Sequence, residues 1–238
     1  MLNSRECMGR LERLVLAKYA GELPHFVSSP CDNRRLWIQF ASMTSPCFIV
    51  VEGIDGAGKS FVAGAICNYL QRQARRPVLT SEPTNGEFGR RIRKLARVER
   101  PSASEEYHLF LQDRAEHVEK FIKPQLAAGH DVICDRYFLS SVAYQGARGL
   151  DPEELLNDSI RRFPIPHLAL YIDIPPEVSR LRTAARGHTD RFDDASDFAV
   201  VRKIYCAMRF PWLRRIDGTL PKEAVLAECH SAVDTVFS

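Results

Sequence analysis

FIVVEGIDGAGKS, residues 48–60, is the stretch that decides how this chain folds. Its first four residues, Phe48 to Val51, are all apolar, which is typical of a strand buried on both faces of a parallel sheet. Residues 53–60 match G-x-x-x-x-G-K-[ST] at every specified position. The stretch therefore predicts a strand, a phosphate-binding loop and a helix, in that order. The competing interpretation is a glycine-rich turn that binds no ligand.

The residue types in this loop suit a phosphate chain. Gly53, Gly56 and Gly58 allow positive φ and close approach, so that backbone N–H groups converge on phosphate oxygens at a helix N-terminus. Lys59 supplies a positive charge, and the Ser60 hydroxyl is a ligand for Mg²⁺. The variable positions of the loop are Ile54, Asp55 and Ala57 together with Gly56.

Composition narrows the class of protein. The chain has 238 residues, of which 45% are hydrophobic and 26% charged, as in a single ordinary globular domain. A net charge of +3 is too small to indicate a nucleic-acid partner. Seven scattered cysteines, never spaced as C-x-x-C, argue against a disulfide framework or zinc site and favour a reducing cytoplasm. No apolar run is long enough to span a bilayer, so we expect a soluble protein.

Residues 1–45 differ from the rest, with prolines that interrupt weak periodicity and more basic than acidic side chains. We expect either a disordered or loosely attached extension, or an upstream region preceding a start at Met43. An organelle-targeting segment is disfavoured because Glu6, Glu12 and Glu22 are acidic. The domain that contains the phosphate loop occupies residues 46–238.

Four further apolar segments predict strands near residues 78–81, 131–134, 168–173 and 213–216. Helical patterns separate them, including Phe61 to Arg75, whose basic end suits the negative pole of the helix dipole. The alternation predicts an α/β fold, namely a five-stranded parallel sheet with helices on both faces. In such a sheet, ligands bind at the carboxyl ends of the strands.

Three segments carry candidate site residues. Residues 89–97 hold five basic side chains, and Arg93 is our candidate for an acceptor phosphate, although a solvated basic face explains most of them. Within the long helical pattern Ser102 to Leu126, Phe110 and Arg114 share a face, which suits either core packing or recognition of a base. Asp135 ends an apolar strand, where a second Mg²⁺-related carboxylate is expected, and Arg136 follows it.

The phosphate loop, Asp135-Arg136-Tyr137, residues 140–146 (SSVAYQG) and an arginine-rich flap at 186–194 occur in an order that resembles the thymidylate kinases. The resemblance extends from about Cys47 to the C-terminus. It implies a P-loop kinase with a short mobile lid that transfers a phosphoryl group from Mg·ATP to dTMP. It also implies a homodimer, with no nucleic-acid or membrane partner.

The resemblance further implies residue roles. Lys59 and the loop amides bind ATP, and Ser60 and Asp135 bind Mg²⁺. Arg136 bridges the two phosphoryl groups. Phe110 stacks on thymine and Arg114 recognises its carbonyl. Asp55 takes the sugar 3′-hydroxyl, while Ser141, Tyr144 and Gln145 line the nucleoside pocket. Because the loop has no arginine, the cation for the transferring phosphoryl is expected from Arg191, with Arg186 second.

Two departures from the family pattern stand out. Family members commonly have an arginine immediately before Glu-Pro, whereas this chain has Ser81. Either another cation takes the role of that arginine, or the role is absent. Ser141 replaces a frequent asparagine or threonine. A kinase for another nucleoside monophosphate or a deoxynucleoside, and a P-loop switch that hydrolyses slowly, are the competing functions. The flap arginines and the lack of an Asn-Lys-x-Asp segment count against the switch.

Overall fold

The computed structural model describes residues 45–98, 100–185 and 195–237. Its centre is a five-stranded sheet in the order β2-β3-β1-β4-β5, in which every pair is parallel. The strands are β1 (Phe48–Glu52), β2 (Pro77–Ser81), β3 (Asp131–Asp135), β4 (Leu168–Asp173) and β5 (Leu213–Asp217). The α/β fold with a five-stranded parallel sheet is therefore confirmed. The prediction for residues 1–45 concerns residues outside the described ranges, apart from Ser45.

Helices connect the strands and cover the sheet. In chain order they are α1 (Lys59–Arg72), α2 (Glu87–Val98), α3 (Ala103–His117), α4 (Lys123–Ala127), α5 (Phe138–Ala147), α6 (Pro152–Arg162), α7 (Pro176–Ala184), α8 (Ala195–Ala207) and α9 (Lys222–Asp234). Across the described ranges, no helix is both long and apolar enough to cross a membrane.

Burial explains why the strand segments are apolar runs rather than alternating patterns. Every residue of β1 and β4 is buried, because both strands lie inside the sheet with helices on each face. The edge strands β2 and β5 are partly exposed. From β1 the chain runs first to β2 and β3, and later to β4 and β5 on the other side. The carboxyl end of β1 is thus a switch point, where open parallel sheets form their ligand crevice.

The predicted helix over Ser102 to Leu126 is one continuous helical path with a change of winding. Ser102 caps it through a capping box with Glu105. Residues Val118–Ile122 are wound as a π-helix between α3 and α4. This wider turn interrupts the α-helical register, which the apolar stripe in the sequence does not reveal.

The end predicted for the first helix is wrong. Helix α1 stops at Arg72, and Arg75 turns back to form a two-pronged contact with Asp131, with Nε–Oδ2 and Nη2–Oδ1 distances of 2.7 and 2.6 Å. Asp131 Oδ1 also accepts the backbone N–H of Cys47 at 2.9 Å. Arg75 therefore ties the starts of β1 and β3 together instead of interacting with the helix dipole.

Candidate active site

The phosphate loop joins β1 to α1 in a conformation that requires glycine. Gly53, Gly56 and Gly58 have φ of 146°, 76° and 91°, a range that side chains with a Cβ rarely adopt. A Cβ on Gly53 would also lie 2.6 Å from the carbonyl oxygen of Ile172. Gly58 is the N-cap of α1, and no side chain among the described residues caps it. The first N–H groups of α1 therefore remain available for an anion.

Lys59 lies at the base of this loop. Its side chain is 7% exposed, and Nζ donates to the carbonyl of Ile54 at 2.9 Å. Burial, together with repulsion from Arg136, lowers the pKa of Lys59 to about 8, even though Asp55 lies 3.6 Å away. The ammonium is thus held in place with little competing solvent, and an incoming phosphate would restore its usual pKa.

Ser60 and Asp135 meet where α1 begins and β3 ends. Ser60 Oγ donates to Asp135 Oδ2 at 2.5 Å. The other carboxylate oxygen, Oδ1, is buried and has no hydrogen-bond partner within the described part of the chain. A hydroxyl beside an unsatisfied carboxylate oxygen is a donor set that suits Mg²⁺, which binds hard oxygen ligands and keeps several waters. No cluster of three or more His, Cys, Asp or Glu suited to a metal occurs in the described ranges. If Mg²⁺ binds with a nucleotide, phosphate oxygens and water would complete its shell.

Arg136 follows β3 in a left-handed conformation, with φ of 72°. Non-glycine residues seldom adopt this region, and they cluster at functional sites. The guanidinium forms an ion pair with Asp55, donates to the carbonyl of Gly53 at 3.1 Å, and lies 5.1 Å from the centre of the Tyr144 ring. Partial burial alone would raise the pKa of Asp55, but Arg136 and Lys59 outweigh it and lower the value to about 2. Arg136 therefore lies directly beside the phosphate loop.

Glu52 supports this corner of the site, a role that the sequence analysis missed. Its carboxylate is fully buried and accepts hydrogen bonds from the Tyr137 N–H, the Ser140 hydroxyl and the Tyr205 hydroxyl at 2.9, 2.5 and 2.9 Å. Burial raises the pKa of Glu52, and these donors oppose that effect. The sequence feature that could have indicated this role is an acidic residue at the end of an otherwise apolar strand.

One face of α3 forms the other side of the crevice. Glu106, Phe110 and Arg114 follow one another at single-turn spacing and all line the same cavity. Arg114 is 1% exposed; its Nε donates to Glu82 at 2.8 Å and its Nη2 donates to Ser141 at 2.9 Å. Its Nη1 is buried without a hydrogen-bond partner in the described ranges. A buried, unsatisfied guanidinium donor is costly unless a ligand accepts from it.

Gln145 on α5 faces the same space. Its side-chain Nε2 donates to Glu106 Oε2 at 3.0 Å, whereas its Oε1 is buried with no partner among the residues described. Arg148 Nη1 also donates to Glu106 Oε2, at 2.5 Å. The cavity therefore holds an unsatisfied donor on Arg114 and an unsatisfied acceptor on Gln145.

Arg93 on α2 lies at the rim of the cavity. Its guanidinium donates to the backbone carbonyls of Pro83 and Thr84 at 2.8 and 2.5 Å and so holds the loop after β2. The carboxylate of Asp113 on α3 accepts hydrogen bonds from the backbone N–H and the hydroxyl of Thr84, at 2.8 and 2.6 Å. The loop is thus fixed from two helices, and Arg93 is half-buried beside the cavity.

These parts surround a cavity of about 560 Å³, a volume typical of small-molecule sites. Most of the predicted site residues line it: Asp55, Gly56, Gly58, Lys59, Ser60, Arg93, Phe110, Arg114, Asp135, Arg136, Ser141, Tyr144 and Gln145. Gly53, Ile54 and Ala57 are buried in the loop behind it. Arg186 and Arg191 lie outside the described residues. Ser140, the first residue of the SSVAYQG segment, also lines the cavity. The further lining residues Ser81, Glu82, Arg100 and Glu106 were not among the predicted site residues.

Arg182 on α7 also lies beside the phosphate loop. Its Nη2 donates to the carbonyl of Gly218 at 3.1 Å, and its Nη1 lies 3.5 Å from the carbonyl of Gly56. Ser179 donates from the same helix to the Asp55 carbonyl at 2.6 Å. Helix α7 therefore anchors the outer side of the phosphate loop.

The parallel sheet, the loop at its switch point and the cavity over its carboxyl edge define a P-loop nucleotide-binding protein. The model of the thymidylate kinase family matches residues 51–229. A thymidylate kinase of Akkermansia muciniphila is 42% identical over 189 residues, covering 79% of this chain and 92% of that protein. One from Xanthomonas campestris pv. campestris is 43% identical over 188 residues, covering 78% and 82%. This chain belongs to the thymidylate kinase family.

Proposed function

We propose that this enzyme transfers the γ-phosphoryl group of ATP to the 5′-phosphate of dTMP, giving ADP and dTDP, as its family membership implies. The observation that carries the proposal is that Lys59 of the phosphate loop and the Phe110–Arg114 face of α3 open onto one cavity. One wall is built for phosphates and the other for an aromatic base. The comparisons give no support to a different acceptor or to a P-loop switch.

ATP binds through the phosphate loop. Lys59 and the backbone N–H groups of residues 53–60 contact its phosphates, and Arg186 adds a further cation from the flap. Ser60 and Asp135 hold Mg²⁺, since the Ser60 hydroxyl lies beside a carboxylate oxygen that has no partner in the described structure. When bound, the ion neutralises charge that spreads over the transferring group.

The base of dTMP lies against α3. Phe110 stacks on the thymine ring, and the free Nη1 donor of Arg114 binds the C4 carbonyl. The Oε1 acceptor of Gln145 takes the neighbouring ring N–H. Ser141 is already hydrogen-bonded to Arg114, so it contributes to the base site by holding that guanidinium.

The sugar and phosphate of dTMP extend toward the phosphate loop. Asp55 binds the 3′-hydroxyl, and the Tyr144 ring beside it excludes a 2′-hydroxyl. The Tyr144 hydroxyl lies 3.4 Å from Asp55 Oδ2, which supports a shared sugar contact. Arg93 contacts the 5′-phosphate from the rim. Because Ser81 offers no cation, Arg93, Arg100 and Arg136 are the described guanidinium groups on the cavity that can take that role.

Transfer relies on positioning and charge neutralisation. Arg136 bridges the donor and acceptor phosphates, and Lys59 binds the outer phosphates of ATP. Arg191 contacts the transferring phosphoryl group. The attacking phosphate is already ionised, so the reaction requires no general base from the protein. Closure of the flap excludes water and so suppresses hydrolysis of ATP.

A coupled assay of ADP release with dTMP, dUMP, dCMP and thymidine as acceptors tests the proposal. We expect the highest kcat/KM with dTMP and ATP hydrolysis that is slow without an acceptor. Tight ATP binding with no transfer to any monophosphate would favour a switch instead.

The proposal includes a homodimer formed through helices flanking the sheet and a cytoplasmic location. The first rests on resemblance to the family, and the second rests on the scattered, odd-numbered cysteines. Sedimentation equilibrium of the full chain would measure a mass of twice 27.0 kDa for the dimer.

A further inference from the structure

Glu106 is a buried acid that the proposed reaction does not use directly. It lies in the first turn of α3, is 2% exposed, and lines the cavity one turn before Phe110. A carboxylate near a phosphate-binding site is unfavourable unless it serves another purpose, because it repels the anionic substrate. It lies on the same face of α3 as Phe110 and Arg114, the residues proposed to contact the base.

The partners of Glu106 define what its carboxylate does. Oε2 accepts from Arg148 Nη1 at 2.5 Å and from Gln145 Nε2 at 3.0 Å. Arg148 is fixed in turn by donation from Nη2 to the carbonyl of Pro101 at 2.6 Å. Arg100 Nε lies 3.7 Å from Oε1. Glu106 thus lies among cationic partners, and it links α3 to α5.

The carboxylate oxygen that pairs with the Arg148 guanidinium acts as an acceptor, so the side of Gln145 that faces it must be its NH₂ group. The opposite side, Oε1, is then an acceptor, and it is buried with no partner within the described ranges. The Glu106 carboxylate thus fixes the orientation of the Gln145 amide.

We infer that Glu106 is a positioning residue that locks the Gln145 amide with its oxygen toward the cavity, and thereby sets the preference for thymine over cytosine. The inference rests on the proposed function. Thymine presents a ring N–H beside a carbonyl, which matches the Gln145 acceptor and the Arg114 donor. Cytosine presents a ring nitrogen without hydrogen beside an amino group, so both contacts face groups of the same kind.

Glu106→Gln tests this directly, because a glutamine at 106 has the same shape but allows the Gln145 amide to turn over. We expect the kcat/KM ratio of dTMP to dCMP to fall roughly 10-fold or more, the size typical of one mismatched buried polar contact. The change should appear in KM for the monophosphate, with KM for ATP unaltered. Glu116→Gln, on the same helix and paired with exposed Lys120, is the matched control and should leave the ratio unchanged.

Non-additivity separates positioning from general support of the fold. In a Gln145→Ala background, Glu106→Gln should change the dTMP to dCMP ratio little, because the residue through which it acts is gone. Additive effects of the two substitutions would overturn the inference, as would an unchanged ratio in Glu106→Gln. If Glu106→Gln does not fold, Glu106→Asp keeps a carboxylate but shortens the side chain, which withdraws it from Gln145, and a lower ratio is again expected. Failure of the wild-type enzyme to phosphorylate dTMP would instead reject the proposed function.

Discussion

Ser60 Oγ and Asp135 Oδ2 are joined by a 2.5 Å hydrogen bond, although 75 residues separate them in the chain. The bond connects the first turn of α1 to the end of β3, two neighbouring positions on the carboxyl edge of the sheet. It places a hydroxyl and a carboxylate side by side beneath the phosphate loop. Under the proposed function this pair would hold Mg²⁺, with the bound nucleotide supplying further oxygen ligands.

Asp135→Asn should weaken the use of Mg²⁺. An amide cannot supply the second anionic oxygen, so we expect a higher Mg²⁺ concentration for half-maximal rate and a roughly 10²-fold lower kcat, as for loss of one preorganised electrostatic group. Steady-state rates over a Mg²⁺ titration at saturating ATP and dTMP measure both. Asp158→Asn, a change at a surface ion pair with Arg162, is the control. An unaltered Mg²⁺ requirement would contradict the metal assignment.

Phe110→Ala should raise KM for dTMP far more than KM for ATP. Base stacking on an aromatic ring is worth about 1–3 kcal/mol by alanine substitution, which corresponds to an increase of roughly 5-fold to 150-fold. Phe121→Ala is a matched control because Phe121 stacks on His117 and is outside the described lining of the cavity. Equal changes in both KM values would mean that the Phe110 ring is only part of the core.

ATP binding should weaken as the pH rises from 7 to 9. The pKa of Lys59 is lowered to about 8 by burial, so its positive charge is present below that pH and is lost above it. Because phosphates bind the protonated form of Lys59, the Kd for ATP should increase with pH. Well above the pKa, the increase should approach about tenfold per pH unit. Calorimetric titration at pH 7, 8 and 9 measures the trend. Lys59→Arg stays charged throughout and should show a flat profile, even if its affinity is lower.

Arg191→Ala should lower kcat by about 10³-fold with little change in KM for ATP, by analogy with arginine fingers. This prediction comes from the sequence, since Arg191 lies outside the described residues. Arg180→Ala, an exposed change on α7, is the control. If kcat of Arg191→Ala equals that of the wild type, the flap arginine has no part in transfer.

Asp173→Asn should destabilise the fold without affecting the site. Asp173 is 5% exposed at the end of β4 and accepts from Arg202 and Arg215 at 2.7 and 2.5 Å. Burial alone would raise the pKa of Asp173, but the arginines lower it from 3.8 to about 2. We expect a loss of about 2 kcal/mol at neutral pH, because the partly exposed arginines regain some hydration.

The pH dependence of that loss has a defined sign. A carboxylate with a lowered pKa contributes its stability above the unfolded value of 3.8 and loses it as the pH falls toward 2. The difference in unfolding free energy between wild type and Asp173→Asn should therefore shrink over that range. Urea denaturation at several pH values measures it. Glu119→Gln, in an exposed pair with Lys123, should show no difference at any pH.

The sequence by itself determined the fold class and one wall of the site. The apolar run before Gly53 and the spacing from Gly53 to Ser60 are local properties, because burial on both faces demands apolar residues and phosphate binding demands glycines at fixed positions. The same holds for Phe110 and Arg114, whose four-residue spacing places them on one helix face.

Tertiary structure decided what those residues contact. Glu52, Glu82 and Glu106 looked like ordinary acids in the sequence, yet each is buried and holds a site residue through partners from distant segments. Arg75 looked like a helix end and instead joins two strands. Such pairings depend on which segments the sheet order brings together, and the free energy of burying a charge is decided by those partners rather than by neighbours in the chain.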